Sequence, residues 1–342
     1  MAEEFIEYHP TKESCWRAII LMGRNVASYK FSLAKSLIQL QGLNKTFISL
    51  EELALPFSKN ICEHLKISSK QITSPSSKFI ETCNRFNEEE ISETKLVEVT
   101  TKLGFVNVID AFHIVSRDST PIRFFEDDRK SKGGITITDD FFKLTESNQF
   151  KNLPNEVESR WRLVETAWDL NISPNLIGVG HDEKKELFYA SIEGFRRKDI
   201  TSSRDALNGY QKGKCFYCLD NISIIKGDLN LADVDHFFPH RLTSNLSISN
   251  LNGVWNLVLA CRNCNRGGNG KFDRIPEVKF LDRLNSRNNF LISSHHPLRQ
   301  TLILQTGTSS EQRQNYLQTC YHNAKQILIH SWKPEYEYPA TF

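Results

Sequence analysis

The chain has 342 residues, of which 39% are hydrophobic and 25% charged, and its formal net charge at pH 7 is +2. This length allows two or three domains with a sizeable core, and so small a net charge excludes a uniformly basic surface. No stretch approaches the ~20 consecutive apolar residues of a membrane-spanning helix. The start of the chain, MAEEFIEYHP, is acidic where a signal peptide would be basic. We therefore expect a cytoplasmic protein without a membrane contact.

A basic helical segment is predicted near the start of the chain. Residues 14–50 contain no Asp or Glu, and apolar residues recur there at helical spacing up to Gly42. Arg17, Arg24 and Lys35 are seven and eleven residues apart, which places them on one face of a continuous helix. Such a face is either simply solvated or binds a polyanion, and both readings stay open here.

Further helices are predicted along the rest of the chain. They cover much of 49–115 and the runs 277–292 and 310–332. Another helix starts with Asn155 as its N-cap and Glu158 as the capping-box partner. The aperiodic segment 126–134, which ends in two glycines, predicts a loop. The helix that starts at Asn155 carries a predicted buried stripe of Val157, Trp161, Val164 and Trp168.

This pattern predicts a mainly helical α+β protein in three parts. We expect a helical N-terminal domain over 1–205, a small module over 206–275 and C-terminal helices over 276–342. The N-terminal domain would recognise a target or dock a partner.

Two Cys-x-x-Cys pairs, Cys215/Cys218 and Cys261/Cys264, mark the small module. Each pair presents two thiolates to one ion, and four thiolates fill the tetrahedral shell of a structural zinc. A redox motif is excluded because there are two pairs and no βαβ pattern. A zinc deaminase is excluded because no His-x-Glu precedes a Pro-Cys-x-x-Cys. The other cysteines predict reduced packing residues: Cys15, Cys62, Cys83 and Cys320.

Between the two pairs lies the sequence LADVDHFF at 231–238, which predicts a strand that ends at Pro239. Strand alternation places Asp233 and Asp235 on one face and His236 on the other, so Asp235 and His236 can share a site only near the strand end. Carboxylate, imidazole and amide groups are those that a metal-dependent phosphodiesterase needs.

The order of these pieces resembles that of the HNH endonucleases, also called ββα-metal nucleases, in their zinc-knuckle form. The matching segments are CFYC at 215–218, VDHFFP at 234–239 and WNLVLACRNCNRGGNGK at 255–271. They span about 60 of the 342 residues. The resemblance implies a ββα module in which zinc is structural and a second cation, Mg²⁺ or Mn²⁺, takes part in the hydrolysis of DNA to 5′-phosphate and 3′-hydroxyl ends.

The resemblance also implies roles for single residues. His236 would be the general base, Asp235 and Asn265 would hold the catalytic cation, and Asn256 would tie the loop that orients His236. Asn269, four positions after Asn265, is a second-choice ligand because glycines surround it.

Other polar residues near these motifs are candidates for contact with the substrate. His240 would touch the cation or a phosphate, or would be an ordinary loop histidine. Phosphate contacts are expected from four basic residues, Arg241, Arg262, Arg266 and Lys271. No helix-turn-helix or finger that would read a base sequence is recognisable.

The leading hypothesis is a DNA endonuclease of restriction or anti-phage defence, by analogy with HNH modules that have large helical flanks. A partner such as a defence-system ATPase is expected on the same analogy. One site cuts one strand, so double-strand cleavage needs a homodimer or two nicks. Two alternatives are a catalytically silent zinc module that binds nucleic acid or protein, and a nuclease directed at RNA.

Overall fold

The structure is a computed structural model that describes residues 10–22, 26–74, 76–115, 118–169, 179–192, 196–244, 250–294 and 296–339. About 52% of it is helical and 15% lies in strands that form small sheets. The predicted α+β, mainly helical class is thereby confirmed. No helix among the described residues is long and apolar enough to cross a membrane.

The chain divides into two compact units, one made of Met1–Lys66 and Ser74–Phe150, the other of Ile67–Thr73 and Lys151–Phe342. The predicted boundary at residue 205 does not coincide with this division and falls inside the second unit. The reason is that the helix Leu153–Asp169 packs against the strand Arg196–Ser202 and the helix Ser203–Gln211.

The first unit combines helices with a small antiparallel sheet. Its helices are α1 (Lys12–Met22), α2 (Tyr29–Leu40), α3 (Leu50–Leu65), α4 (Lys78–Asn87), α5 (Glu93–Leu103), α6 (Val108–Ala111) and α7 (Asp139–Thr145). Its strands are β1 (Phe47–Ser49), β2 (Ile114–Val115), β3 (Asp118–Ser119), β4 (Phe125–Asp128) and β5 (Gly134–Ile137). The sheet has the order β1-β5-β4, and β2 pairs with β3.

Two predictions for this unit are wrong. The segment 126–134 is not only a loop, because its first residues form β4 and pair with β5, and the turn between them needs the left-handed conformation of Gly133 (φ +76°). The predicted basic helix is split into α1 and α2, so the spacing of its cations no longer defines one face. Arg17 is buried, Lys35 is half-buried, and Arg24 lies outside the described residues.

The second unit contains the cysteine pairs. Its helices are α8 (Leu153–Asp169), α9 (Ser203–Gln211), α10 (Arg262–Arg266), α11 (Val278–Ser293), α12 (Arg299–Thr306) and α13 (Ser310–Ile327). Its strands are β6 (Val179–Asp182), β7 (Leu187–Ile192), β8 (Arg196–Ser202), β9 (Asp233–His236), β10 (Leu257–Ala260), β11 (Ile275–Pro276) and β12 (Ser331–Trp332). Strands β6, β7 and β8 form an antiparallel sheet, β9 pairs antiparallel with β10, and β11 pairs parallel with β12.

The predicted helices of this unit are present with shifted ends. The α8 stripe of Val157, Trp161, Val164 and Trp168 is buried as predicted. The helix starts at Leu153, before the predicted N-cap, because Pro154 is tolerated in a first helical turn. Helix α13 ends at Ile327 rather than at 332, since Ser331 and Trp332 pair with β11 instead.

The two strands β9 and β10 and the short helix α10 make up a small module around the cysteine pairs. In the pair, Asp235 lies opposite Val258 and His236 opposite Leu257. Apolar side chains on both sides of this pair are fully buried, namely Phe237, Phe238, Trp255, Leu257 and Leu259. Each such burial contributes about 1.5–3 kcal/mol. The module therefore shares one core with the helices around it.

Candidate metal centre and active site

The four cysteines of the two pairs converge on one point. Their ligand atoms all lie within 4.8 Å of one another. The Sγ atoms of Cys218 and Cys261 are 3.7 Å apart, which matches the ~3.8 Å that tetrahedral Zn–S bonds of about 2.3 Å require. Cys261 is the N-cap of α10, and its backbone N–H donates to Cys215 Sγ at 3.3 Å. The cluster can hold a metal ion such as zinc, and four sulfur ligands complete a tetrahedral shell.

Four residues of the predicted site lie on β9 and α10, and we call them the β9 polar edge: Asp233, Asp235, His236 and Asn265. His236 is the last residue of β9 and is half-buried. Its Nε2 is 2.9 Å from Asn252 Oδ1. Because a carbonyl oxygen only accepts hydrogen bonds, this contact places the ring proton on Nε2 and leaves Nδ1 as the acceptor.

The charge state of His236 follows from its surroundings. Burial lowers the pKa of His236 below its ordinary value, although the carboxylates of Glu183 and Asp235 oppose this. The ring is therefore neutral near pH 7, and Nδ1 can accept a proton from a water molecule.

Asn256 fixes the chain directly after His236. Its Oδ1 accepts from Phe238 N at 2.8 Å, and its Nδ2 donates to the carbonyls of Phe238 and Leu251 at 2.9 and 2.8 Å. The side chain is fully buried. It thus joins the end of β9 to the loop before β10.

Asp235 points into the module and is 7% exposed. Its Oδ2 accepts from Tyr217 Oη at 2.6 Å, and its Oδ1 lies 3.2 Å from Lys271 Nζ. Burial, together with this carboxylate, holds the pKa of Tyr217 well above its ordinary range, so the phenol keeps its proton and donates it. Both carboxylate oxygens of Asp235 are therefore engaged by donors of the protein.

Asn265 contacts the other carboxylate of β9. Its Nδ2 donates to Asp233 Oδ2 at 3.0 Å, and Arg266 Nη2 donates to Asp233 Oδ1 at 3.0 Å. Asp233 is only half-buried. The two aspartates of β9 share a strand face but have different surroundings, one inside the module and one near its surface.

Lys271 is not a surface residue, which corrects the expectation that it contacts DNA phosphates. It is fully buried, and its Nζ donates to the carbonyls of His236 and Phe272 at 3.0 and 3.1 Å. Together with the nearby Asp235 carboxylate, these acceptors satisfy the buried ammonium group. Lys271 thereby holds the end of β9 from inside.

The three arginines remain at the surface. Arg241 and Arg262 are exposed, and Arg266 is exposed while it also pairs with Asp233. Asn269 is exposed as well, and its side chain donates to Glu335 in the C-terminal segment. The structure therefore does not bring the Asn269 amide to the β9 polar edge.

Three residues at or near this site were not assigned a role from the sequence. Tyr217 lies between two zinc-ligand candidates, Asn252 lies in the loop before β10, and His181 lies on β6, whose sequence is distant from every motif. The His181 and His236 ring centroids are 6.5 Å apart. A pattern search could have found Tyr217 inside CFYC, but only the folded chain brings β6 near β9.

Comparisons of this chain with protein-family models, with curated proteins and with solved structures found no match.

Proposed function

We propose that this chain is a metal-dependent endonuclease that hydrolyses phosphodiester bonds of DNA at an HNH-type site. The observation that carries the proposal is the placement of His236. It ends β9, Asn256 ties the chain directly after it, and Asn252 orients its ring. Asp235 precedes it on β9, and the four cysteines of the same module can hold a metal ion.

His236 would act as the general base. Its neutral ring accepts a proton at Nδ1 from the water that attacks phosphorus, while Nε2–H stays bonded to Asn252. General base catalysis of this kind raises a reaction rate by about 10²–10⁴-fold. Lys271 supports the geometry, because it binds the backbone carbonyl of His236.

The donor types of the β9 polar edge, carboxylates and an amide, suit a hard divalent cation, but their ligand atoms do not converge in this structure, where both oxygens of Asp235 bond protein donors. By the resemblance, Asp235 and Asn265 would hold the cation, with Asp233 next to Asn265. Carboxylate and amide oxygens suit Mg²⁺ or Mn²⁺. Such a cation would supply positive charge near the leaving oxygen. The contribution of the chain is to orient the carboxylates, Asp235 through Tyr217 and Lys271, and Asp233 through Arg266.

The DNA backbone would bind to the exposed arginines near this site. Arg241 and Arg262 offer their guanidinium groups, and Arg266 lies beside Asp233. Contacts of this kind position a strand without reading its sequence. Cutting both strands would need a homodimer or two successive nicks.

The proposal also includes the setting of this activity. None of the eight cysteines forms a disulfide, as is usual for proteins of a reducing compartment such as the cytoplasm. A role in restriction or anti-phage defence, with an ATPase as partner, rests on the resemblance to HNH modules of such systems.

The test is cleavage of supercoiled plasmid in Mg²⁺ by the full chain and by His236→Ala, with His322→Ala as matched control. His322 is an exposed residue of α13. We expect His236→Ala to lose about 10²-fold or more in rate, and His322→Ala to retain it. Zinc content and thermal midpoint should be the same in all three proteins. Equal cleavage by wild type and His236→Ala would remove the assignment.

The same assay separates the two alternatives. Structured RNA that is cleaved faster than DNA at equal concentration, with the same dependence on His236, would assign the site to RNA. Binding of DNA without cleavage by the wild-type chain in Mg²⁺ or Mn²⁺ would favour a silent zinc module.

A further inference from the structure

A polar cleft of about 440 Å³ lies next to the β9 polar edge. Three elements supply its lining: the β6–β7 hairpin with His181 and Tyr189, the loop before β10 with Asn250 and Asn252, and α12 with Gln305. Its volume is within the range of small-molecule sites, which is roughly 300–1,000 Å³. Asn252 connects the cleft to the active site, because its Oδ1 bonds His236 Nε2.

Within this cleft, the ring nitrogens of His181, Nδ1 and Nε2, lack hydrogen-bond partners from the described part of the chain. The residue is 9% exposed. Burial, helped by the neighbouring His236, lowers the pKa of His181 to about 4, so the ring is neutral at pH 7. A neutral ring offers one donor and one acceptor. Buried polar atoms are nearly always hydrogen-bonded, so His181 is expected to bond a group from outside the chain, water or ligand.

A metal ion is a poor candidate for this ligand. In the part of the chain that the structure describes, the four cysteines are the one group of three or more His, Cys, Asp or Glu side chains whose ligand atoms lie close enough to share an ion.

A phosphate is disfavoured as well, because two carboxylates, those of Asp182 and Glu183, line the cleft beside a single ammonium group, that of Lys184. Like charges at such a contact are repulsive. The remaining lining consists of Gly180, amides, an imidazole and the phenol ring of Tyr189. Neutral donors and acceptors beside an aromatic ring are the groups that bind the edge and the face of an unstacked nucleobase.

We propose that this cleft binds one unstacked nucleobase of the DNA strand that is cut near His236, and that His181 hydrogen-bonds the edge of that base. The inference rests on the proposed nuclease function and adds its substrate class. DNA with an unpaired or easily unstacked nucleotide next to the scissile bond is preferred over regular duplex, because base pairing otherwise holds the base in the helix. Asn252 links the two events, since it lines the cleft and orients His236.

The proposal is tested by binding and by cleavage. The binding probe is a short single-stranded DNA that contains 2-aminopurine, whose fluorescence rises when the base leaves the stack. It is titrated, without Mg²⁺, into full-length His236→Ala protein and into the same protein with His181→Leu, His181→Gln, Gln305→Leu or His322→Leu added. We expect His181→Leu to weaken binding about tenfold. We expect His181→Gln, which keeps a donor and an acceptor, and the distant His322→Leu to bind the probe like the parent.

Cleavage is measured with His236 intact on duplexes that differ by a single bulged nucleotide. The wild-type chain should prefer the bulged duplex, and His181→Leu should lose that preference through KM rather than kcat. If His181→Leu does not fold, as judged by zinc content and thermal midpoint, Gln305→Leu on α12 takes its place with the same expected loss.

The outcomes separate the two levels of inference. Unchanged probe binding in both His181→Leu and Gln305→Leu, or no preference for the bulged duplex in an active wild-type chain, would overturn the base-binding cleft alone. Equal cleavage by wild type and His236→Ala would overturn the nuclease function, whereas the probe titration would still decide whether the cleft binds a base.

Discussion

The four-cysteine cluster and the β9 polar edge belong to the same small module, yet they are built in opposite ways. The cluster brings four identical side chains to one point, and their contacts are with one another. The residues of the polar edge each have a different partner: Asp233 has Arg266, Asp235 has Lys271 and Tyr217, and His236 has Asn252. A closed set of ligands suits a structural ion, whereas a site for chemistry depends on separately oriented groups.

The largest expected effect comes from opening the cysteine cluster. Cys261→Ser should release the metal and lower the free energy of unfolding of the second unit, because metal binding stabilises the folded state whose core contains the cysteine cluster. We expect loss of about one zinc per chain by mass spectrometry, a lower thermal midpoint and no cleavage.

The matched control for this change is Cys320→Ser, a buried cysteine of α13 outside the cluster. It should keep its zinc and lose only about 1–3 kcal/mol for a buried hydroxyl. Cleavage by a zinc-stripped chain once Mg²⁺ is restored would contradict the structural role of the cluster.

The next effect tests the buried pair of Lys271 and Asp235. Lys271→Met or Asp235→Asn should each lower the free energy of unfolding by about 3–5 kcal/mol, because each leaves one buried charge without its partner. The double variant should recover part of that loss, since two neutral groups remain. Denaturant unfolding of the four proteins gives the coupling energy.

Activity separates the two roles of Asp235. The double variant should stay inactive even where its stability recovers, because the proposed cation site has lost a carboxylate. Additive losses of stability, without coupling, would show that the two side chains do not act as a pair.

The smallest effect is expected at Asn252. Asn252→Ala should leave stability within about 0.5 kcal/mol, because the residue is half-buried and lies in a loop. Cleavage should fall about tenfold, since the tautomer of His236 is no longer set by an acceptor at Nε2. Asn252→Asp keeps that acceptor and should retain more activity than Asn252→Ala. Identical rates for both variants would show that Asn252 does not orient His236 and that Asn256 does so without it.

Local patterns predicted the parts of the chain that depend on few neighbours. The stripe on α8 follows from helical spacing, and the cysteine cluster follows from two pairs that can form knuckles by themselves. The helix ends were less predictable. The end of α13 depends on Ser331 and Trp332 pairing with β11, which lies more than fifty residues earlier in the chain.

The sequence also predicted which residue types lie at the candidate site, but not which partner each side chain contacts. Two aspartates one residue apart on β9 look equivalent in sequence, and only packing places Asp235 against Tyr217 and Lys271 and Asp233 against Asn265. Lys271 looked like a surface cation because its neighbours are glycines and arginines. Its burial follows from backbone carbonyls that converge on its Nζ.

The sequence alone predicted that this chain is mainly helical, that its cysteines can form one metal centre, and that a histidine lies near the end of a strand that carries two aspartates. These features depend on periodicity and on spacings of a few residues, which are local. The tertiary structure alone decided which carboxylate is buried, that Lys271 is internal, and that His181 of β6 lies beside His236. Those outcomes depend on contacts between segments far apart in sequence, where packing rather than local pattern decides what each side chain meets.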